Sequence, residues 1–281
     1  MTAVAERPED LGPPPEMRRM AALLEYAGGA YAGWQSQQHA ASLQQAVERA
    51  FGFIAAHPLT VVCAGRTDAG VHAAGQVIHF DTHASRAARS WVLGANTRLP
   101  PDIAVLWAAE MPRTFHARYS ALRRTYRYLI LNRSARSALS RERAAWIHRP
   151  LDAATMQRAA QALIGEHDFS AFRGIECQSK SPRRRIERLR VERVGEIVSI
   201  EITANAFLHH MVRNIVGTLI EVQERSDPLA ALARILESRD RRQAGATAPA
   251  CGLYLWRVEY PATFGIPAPD RSRAAPGILL D

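Results

Sequence analysis

The sequence is poor in cysteine, and its three cysteines, Cys63, Cys177 and Cys251, lie far apart. No C-x-x-C pair occurs, so neither a disulfide framework nor a structural zinc site is indicated, and a reducing compartment is favoured. The chain also lacks the apolar run of about 18 residues that a membrane-spanning helix needs. Its N-terminal stretch has acids and prolines in place of the apolar core of a signal peptide. We therefore expect a soluble, cytoplasmic protein without a membrane partner.

Acidic residues are outnumbered, with 27 against 36 basic residues, which gives a net charge of +9. All but one of the basic residues are arginine, as codon bias would produce, but that bias does not explain an excess over the acids. Residues 113–149 alone contain ten arginines and a single acid, Glu142. Clustered positive charge favours a polyanionic partner such as nucleic acid, although a block of like charge can also be a solvated face.

The length of 281 residues and an apolar content of 47% are enough for a substantial core, which predicts a globular protein. The hydrophobic pattern predicts the order β-α-β-β-α-β over residues 18–112 and again over 113–260. Short connections and right-handed crossovers make two ferredoxin-like halves accessible to this order, so we predict an α+β fold. The proline-rich ends predict a mobile N-terminal arm at 1–17 and a C-terminal tail at 261–281.

The predicted elements follow from the period of the apolar residues. In the first half, strands are expected at 19–28, 59–65, 75–82 and 102–110, and helices at 43–54 and 89–99. In the second half, strands are expected at 124–132, 184–195, 196–204 and 252–260, and helices at 152–167, 207–222 and 228–238.

A single carboxylate, Asp68, lies in a glycine-flanked turn of the stretch CAGRTDAGVHAAGQVIHF. Most such residues are turn formers that accept backbone N–H bonds. This one lies between two strand-like runs, where a loop projects from a sheet and can meet a ligand. His72 and His79 follow, but not at the spacing of metal ligands. A lone carboxylate of this kind is a candidate nucleophile or general base.

A catalytic carboxylate must stay ionised when substrate covers it, and a nearby guanidinium favours the ionised form. Arg66 is close in sequence, and Arg213 falls at the edge of an apolar helix face, where it is either such a partner or a solvent-facing residue. Tyr126 shares one face of a predicted strand with Tyr128. A tyrosine there either packs in the core or stacks on an RNA base.

A polar, basic segment, FRGIECQSKSPRRR, covers residues 172–185. Glycine and proline interrupt it, which predicts an exposed loop. Four of its basic residues are candidate phosphate contacts. They are Arg173, Lys180, Arg183 and Arg184.

The block GRTDAGVHAAGQVIHF resembles the catalytic motif of the tRNA pseudouridine synthases of the A type. Six further blocks resemble that family in the same order, over residues 20–260. They are YAGGAYAGWQSQ, FHARYSALRRTYRYLI, DFSAFRG, CQSKSPRRRI, FLHHMVRNIVG and APACGLYLWRVEY. Seven ordered blocks are far more specific than one.

The resemblance implies a role for several residues. Asp68 matches the family's nucleophile, and Arg213 matches the arginine that pairs with it. Tyr126 matches the tyrosine that stacks on the target base. Arg66 matches the residue that helps displace the flipped nucleotide, and Leu253 matches an apolar residue of the pocket.

The family's fold implies two ferredoxin-like halves in a continuous antiparallel or mixed sheet with helices on one face. The family also implies a homodimer, tRNA as the partner, and uridines 38, 39 and 40 of the anticodon stem-loop as the substrate, with no cofactor and no metal. Ala27 stands where the family usually has aspartate, which puts an RNA contact in doubt. Two alternatives are a non-catalytic RNA-binding module, whose RNP1 pattern is missing, and a synthase that acts on another RNA.

Overall fold

The structure is a computed structural model that describes residues 12–268. Contacts between α-carbons divide the chain into two compact units. Among the described residues, unit 1 comprises 12–122 and 257–268, and unit 2 comprises Arg123–Trp256. Residues 1–11 of the predicted arm and 269–281 of the predicted tail lie outside the described residues. The predicted halves at 18–112 and 113–260 stay a prediction.

Unit 1 contains an antiparallel sheet with two helices. Its elements are β1 (Arg18–Tyr26), α1 (Leu43–Ala55), β2 (Val62–Cys63), β3 (His72–Thr82), α2 (Ala88–Asn96) and β4 (Ile103–Met111). β1 lies between β3 and β4, with Ala22 opposite Ile78 on one side and Ala108 on the other. The short β2 pairs with β3 on the side away from β1, since Ile78 lies opposite both Ala22 and Cys63. The predicted order of six elements is confirmed in this unit.

The apolar face of α1 forms the core of unit 1. The helix begins after Ser42, whose side chain accepts a hydrogen bond from the Gln45 N–H and caps the helix. The five apolar residues that the helical period places on one face are all buried, namely Leu43, Ala46, Val47, Ala50 and Phe51. The Phe51 ring lies 5.0 Å from that of Phe80 on β3, which in turn lies 5.1 Å from Trp91 on α2. This aromatic cluster joins both helices to the sheet.

Unit 2 contains a mixed sheet with three helices. Its elements are β5 (Arg123–Asn132), β6 (Ala145–Ile147), α3 (Ala153–Ala160), β7 (Gly165–Asp168), β8 (Arg183–Val194), β9 (Ile197–Ala204), α4 (Met211–Val222) and α5 (Pro228–Ser238). The last strand, β10 (Leu253–Glu259), crosses the division between the units after Trp256. β9 pairs antiparallel with β5 and β8, β7 extends the sheet beyond β8, and β6 runs parallel to β5.

The predicted α+β class is confirmed. On β5, β9 and β8 the apolar row of Tyr128, Ile200 and Val191 lies in register and is buried. The helix α3 packs on β8 and on α5. Within residues 12–268, none of the helices has both the length and the apolar composition required to cross a membrane.

The helix predicted over 152–167 is wrong at its C-terminal end. α3 ends at Ala160, a 3₁₀ turn covers Gln161–Leu163, and the next residues form β7. β7 pairs with the start of β8, so that Gly165 faces Ile186 and Asp168 faces Arg183. The pattern GEHD carries no strand signal of its own, and pairing with a distant strand decides its structure.

The helix predicted over 207–222 is wrong at its N-terminal end. α4 begins only at Met211, because His210 has a φ of +59° that lies outside the helical region. Phe207 therefore does not belong to the apolar face of this helix. Its ring instead contacts Tyr126 edge to face, with the ring centroids 5.0 Å apart.

We expect Phe51→Ala to destabilise the protein by about 3–5 kcal/mol, because it leaves a cavity beside two aromatic rings. Phe53 on the same helix is a matched control, since its side chain is 58% exposed and the Arg98 guanidinium lies 3.7 Å from the centre of its ring. Its substitution by Ala should cost less than about 1 kcal/mol. Urea unfolding followed by circular dichroism measures both variants. Equal losses would contradict this account of the core.

Candidate active site and basic loop

Asp68 lies on the loop that joins β2 to β3 in unit 1, and its side chain is half-buried. The Val71 N–H donates to the Asp68 carbonyl at 3.1 Å, and Gly70 has a φ of +77°, as a tight turn of this kind requires. Arg66 lies two residues earlier on the same loop and is exposed. The loop therefore presents a half-buried carboxylate and a solvent-facing guanidinium.

A second segment of unit 1 packs directly on the backbone of this loop. The Trp34 N–H donates to the Thr67 carbonyl at 2.9 Å. Gly33 has a φ of +98°, and a Cβ atom there would lie 2.8 Å from the Thr67 carbonyl oxygen and 3.1 Å from the Asp68 carbonyl carbon. Only glycine fits this contact without displacing the loop.

Arg213 lies in the first turn of α4 in unit 2 and is half-buried. Its Nε donates to the Ala248 carbonyl at 2.7 Å, while the Ala248 N–H donates to the Arg213 carbonyl at 3.1 Å. The first bond holds the guanidinium and the second holds the backbone of Arg213, so Arg213 is not a freely solvated side chain. Asp68 belongs to unit 1 and Arg213 to unit 2, and their pairing stays a prediction.

The segment that carries Ala248 is itself fastened to α4 by the buried residue Asn214. The Asn214 Oδ1 accepts from Thr247 Oγ1 at 2.7 Å and from Arg241 Nη2 at 3.1 Å. One turn later, Thr218 Oγ1 accepts from the Gly245 N–H at 2.9 Å. Asn214 and Thr218 were not predicted as site residues. Their signal in the sequence is two polar residues, four positions apart, in line with the apolar residues Met211, Ile215 and Leu219 of the helix.

Tyr126 and Leu253 belong to unit 2, on β5 and at the first residue of β10. Tyr126 is half-buried and Leu253 is buried. Tyr128, two residues beyond Tyr126 on the same face, is fully buried, and its hydroxyl donates to the Pro249 carbonyl at 2.7 Å. Burial raises the pKa of Tyr128, so this tyrosine stays neutral. Of the two tyrosines, Tyr126 has the more exposed ring.

The loop predicted over 172–185 ends earlier than expected, because Arg183 and Arg184 already belong to β8. The four basic residues predicted there also differ in their contacts. Arg173 Nη2 donates to the carbonyls of Cys177 and Ser179, at 2.5 and 3.0 Å. Arg184 Nη2 donates to Ser179 Oγ at 2.6 Å. Arg173 and Arg184 therefore brace the loop from within. Lys180 and Arg183 are exposed, with Arg183 3.8 Å from the Glu166 carboxylate.

Comparison with known proteins identifies the family. The family model described as tRNA pseudouridine synthase matches residues 22–120 and 159–261. The chain belongs to the tRNA pseudouridine synthase family. The family predicted from the sequence, and with it an enzyme of the isomerase class that acts on tRNA uridines, is confirmed.

Three relatives show how far the similarity to these synthases extends. The tRNA pseudouridine synthase A of Hydrogenovibrio crunogenus is 51% identical over 89% of this chain and 96% of its own length. That of Aeromonas salmonicida is 52% identical, over 89% and 93%. That of Pseudomonas aeruginosa is 50% identical, over 89% and 88%.

Three further residues of unit 1 support the loop that carries Asp68 in this synthase. Tyr26, Thr67 and Gln76 are all buried and linked to one another by hydrogen bonds. They were not predicted as site residues. The signal in the sequence is again a polar residue in an apolar run, since Gln76 lies inside the strand pattern of β3.

We expect Gly33→Ala to lower the rate of uridine isomerisation in tRNA by about 10-fold or more, because the new Cβ displaces the backbone at Asp68. Gly195 is the matched control, since its φ is +56° and a Cβ there meets nothing within 4 Å. Both variants should lose about 1–2 kcal/mol of stability from the positive φ. Only the Gly33 variant should lose rate at a temperature where both are folded. Equal rates for the two variants would contradict a direct contact with the loop.

We expect Cys177 to be the first cysteine that iodoacetamide alkylates. Burial acts to raise the pKa of Cys177, but the backbone N–H groups of His209 and Ser179 stabilise the thiolate. Together with the charge of Arg173 they hold the pKa of Cys177 below its usual value, so more thiolate is present near neutral pH. Burial raises the pKa of Cys63 to about 12 and also raises that of Cys251.

Peptide mass spectrometry after alkylation at a series of pH values measures this order. The midpoint for Cys177 should lie below that of an ordinary thiol. Faster alkylation of Cys251 at neutral pH would contradict the prediction.

Proposed function

We propose that this chain isomerises uridine to pseudouridine at one or more of positions 38, 39 and 40 of the tRNA anticodon stem-loop, with Asp68 as the nucleophile. The observation that carries the proposal is the placement of Asp68. It is a half-buried carboxylate on a loop whose backbone is held by Trp34 and Gly33, within the first segment that matches the synthase family. A braced loop of this kind holds a reacting group in place without burying it in the core.

The reaction breaks the C1′–N1 glycosidic bond and forms a C1′–C5 bond between the same two fragments. A proton leaves C5 and N1 gains one, so the composition of the nucleotide does not change. One nucleophile is sufficient for this exchange. Asp68 attacks the anomeric carbon, attacks the uracil ring or assists glycal formation, and each route requires an ionised carboxylate.

The target uridine must leave the stem to reach the carboxylate, at a cost of a few kcal/mol. In this proposal Arg66, which is exposed beside Asp68, takes the place of the flipped nucleotide. The half-buried ring of Tyr126 stacks on the freed base. Leu253 supplies an apolar wall to the pocket.

Arg213 stabilises the negative charge of Asp68 after the substrate excludes water, because an opposite charge compensates for the lost hydration of the carboxylate. The bond from Arg213 Nε to Ala248 supports this role, since it fixes the direction of the guanidinium before substrate binds.

RNA binding away from the reacting base is assigned to the loop after Phe172 and to the start of β8, which begins at Arg183. Lys180 and Arg183 are exposed and suited to contact phosphates, whereas Arg173 and Arg184 act by keeping the loop in shape. The homodimer and the cytoplasmic location predicted from the sequence stay predictions.

We expect wild-type protein to release tritium from tRNA labelled with [5-³H]uridine, and Asp68→Asn to release none above background. The amide is nearly isosteric but lacks the charge and the nucleophilic oxygen, so tRNA binding should be largely retained. Glu110→Gln is the matched control, because this carboxylate is exposed and pairs with Arg18 at the surface of the same unit. tRNAs that keep one uridine among positions 38, 39 and 40 identify the modified site.

Full activity of Asp68→Asn would refute the role of the carboxylate. Tight, salt-sensitive tRNA binding without tritium release by wild-type protein would favour the non-catalytic RNA-binding module. Release from other RNAs but not from the anticodon stem-loop would favour a synthase with a different substrate.

A further inference from the structure

Thr67, the residue before Asp68, is held through both its side chain and its backbone. Only 6% of its surface is exposed. Its Oγ1 shares a hydrogen bond of 2.8 Å with Tyr26 Oη, and its carbonyl accepts from the Trp34 N–H at 2.9 Å. Two bonds in different directions fix the orientation of this residue, and the next peptide unit carries Asp68.

The side-chain bond of Thr67 continues into the sheet. Tyr26 is the last residue of β1, and Gln76 lies on the neighbouring strand β3. Gln76 Nε2 donates to Tyr26 Oη at 3.3 Å and to the Gly65 carbonyl at 2.7 Å. The loop is thus tied to two strands, at Gly65 and at Thr67.

A hydrophobic core does not need these polar groups. Tyr26, Thr67 and Gln76 have 4%, 6% and 0% of their surfaces exposed. Burying a hydroxyl or an amide costs free energy unless it is hydrogen-bonded, and apolar side chains would fill the space without that cost. A buried polar chain that ends at the residue before the candidate nucleophile therefore points to a role in its placement.

The backbone that follows Asp68 in the chain is fixed as well. The Val71 N–H closes the turn onto the Asp68 carbonyl at 3.1 Å. The backbone is therefore held both before and after Asp68, so movement of the backbone contributes little to the position of its carboxylate. Catalytic groups must be held within about 0.5 Å of the productive geometry, and this arrangement supplies that restraint.

We propose that Thr67 is a positioning residue for Asp68, and that Tyr26 and Gln76 anchor it to the sheet. This inference rests on the proposed role of Asp68 as the nucleophile. Thr67 acts through the backbone of Asp68, so it should affect the chemical step far more than the binding of tRNA.

Two substitutions of Thr67 separate the hydroxyl from the side chain's shape. Thr67→Val keeps the volume and branching but removes Oγ1, whereas Thr67→Ser keeps the hydroxyl. We expect Thr67→Val to lower the single-turnover rate on the order of 10- to 100-fold, as misplacement of a reacting group by less than about 1 Å can do. The Kd for tRNA should change by less than about 3-fold, and Thr67→Ser should recover most of the rate.

Tyr26→Phe tests the same bond from its other end. It removes Oη, while Gln76 Nε2 keeps its bond to the Gly65 carbonyl. The rate should again fall with little change in Kd. Tyr26→Phe also removes the longer bond from Gln76 Nε2 to Tyr26 Oη. Because both substitutions remove the same Tyr26–Thr67 hydrogen bond, the double variant with Thr67→Val should be no more than about 2-fold slower than the slower single variant.

Thr82→Val is the matched control for loss of a buried hydroxyl. Thr82 is fully buried at the far end of β3, and its Oγ1 bonds to His57 Nε2 at 2.8 Å and accepts from the Ala84 N–H at 3.0 Å. We expect Thr82→Val to lower the Tm by an amount similar to Thr67→Val but to leave the single-turnover rate of the folded protein unchanged.

The outcomes distinguish this inference from the proposed function. If wild-type protein releases tritium in an Asp68-dependent way but Thr67→Val stays within about 2-fold of its rate, the positioning role is wrong and the proposed function stands. Equal rate losses in Thr67→Ser and Thr67→Val, or a matching loss of tRNA affinity, would also overturn it. Absence of release by wild-type protein would count against the proposed function itself.

Discussion

The hydrogen bond between Tyr26 and Thr67 joins β1 to the loop that carries Asp68, and other contacts in unit 1 hold the same loop. Gln76 on β3 completes the chain, so two neighbouring strands hold one loop. The segment after β1 then folds back, and Trp34 binds the same loop from another side. A carboxylate placed on such a support needs little reorganisation when substrate binds, which is where preorganised sites gain their rate.

Unit 2 holds Arg213 by a related device. Asn214 and Thr218 are polar residues buried in α4, and they fasten the segment 241–248 to the helix. The same segment holds the Arg213 side chain, because the Ala248 carbonyl accepts a hydrogen bond from Arg213 Nε. In each unit, buried polar side chains that contribute little to a hydrophobic core fix a residue matched to the family's catalytic machinery.

Some of the arginines that produce the excess positive charge have structural roles, and others are available to contact RNA. Arg19 is almost fully buried and makes two bonds of 2.8 Å to the Asp81 carboxylate. Glu201 on β9 is flanked by Arg127 and Arg188, each at 2.9 Å. Arg pairs of this kind stabilise the units, since a planar guanidinium suits carboxylate geometry. Net charge alone therefore predicts a polyanionic partner but does not tell which arginines meet it.

Most strands and helices followed from the period of the apolar residues, as the five buried residues on one face of α1 illustrate. The errors came where long-range contacts decide the structure. Residues 165–168 become β7 only because β8 pairs with them. Because His210 has a positive φ, α4 begins about one helical turn later in the sequence than predicted. Neither feature has a local signal, because the backbone follows a contact that lies elsewhere in the chain.

The sequence by itself determined the α+β class, the family and the identity of Asp68 as the candidate nucleophile, because these depend on local periodicity and on ordered motifs. Tertiary structure alone decided what holds that residue. Thr67 and Tyr26 are 41 positions apart, and Arg213 and Ala248 are 35 apart. Hydrogen bonds between such distant residues form only after the strands and helices have packed, and no local pattern encodes them.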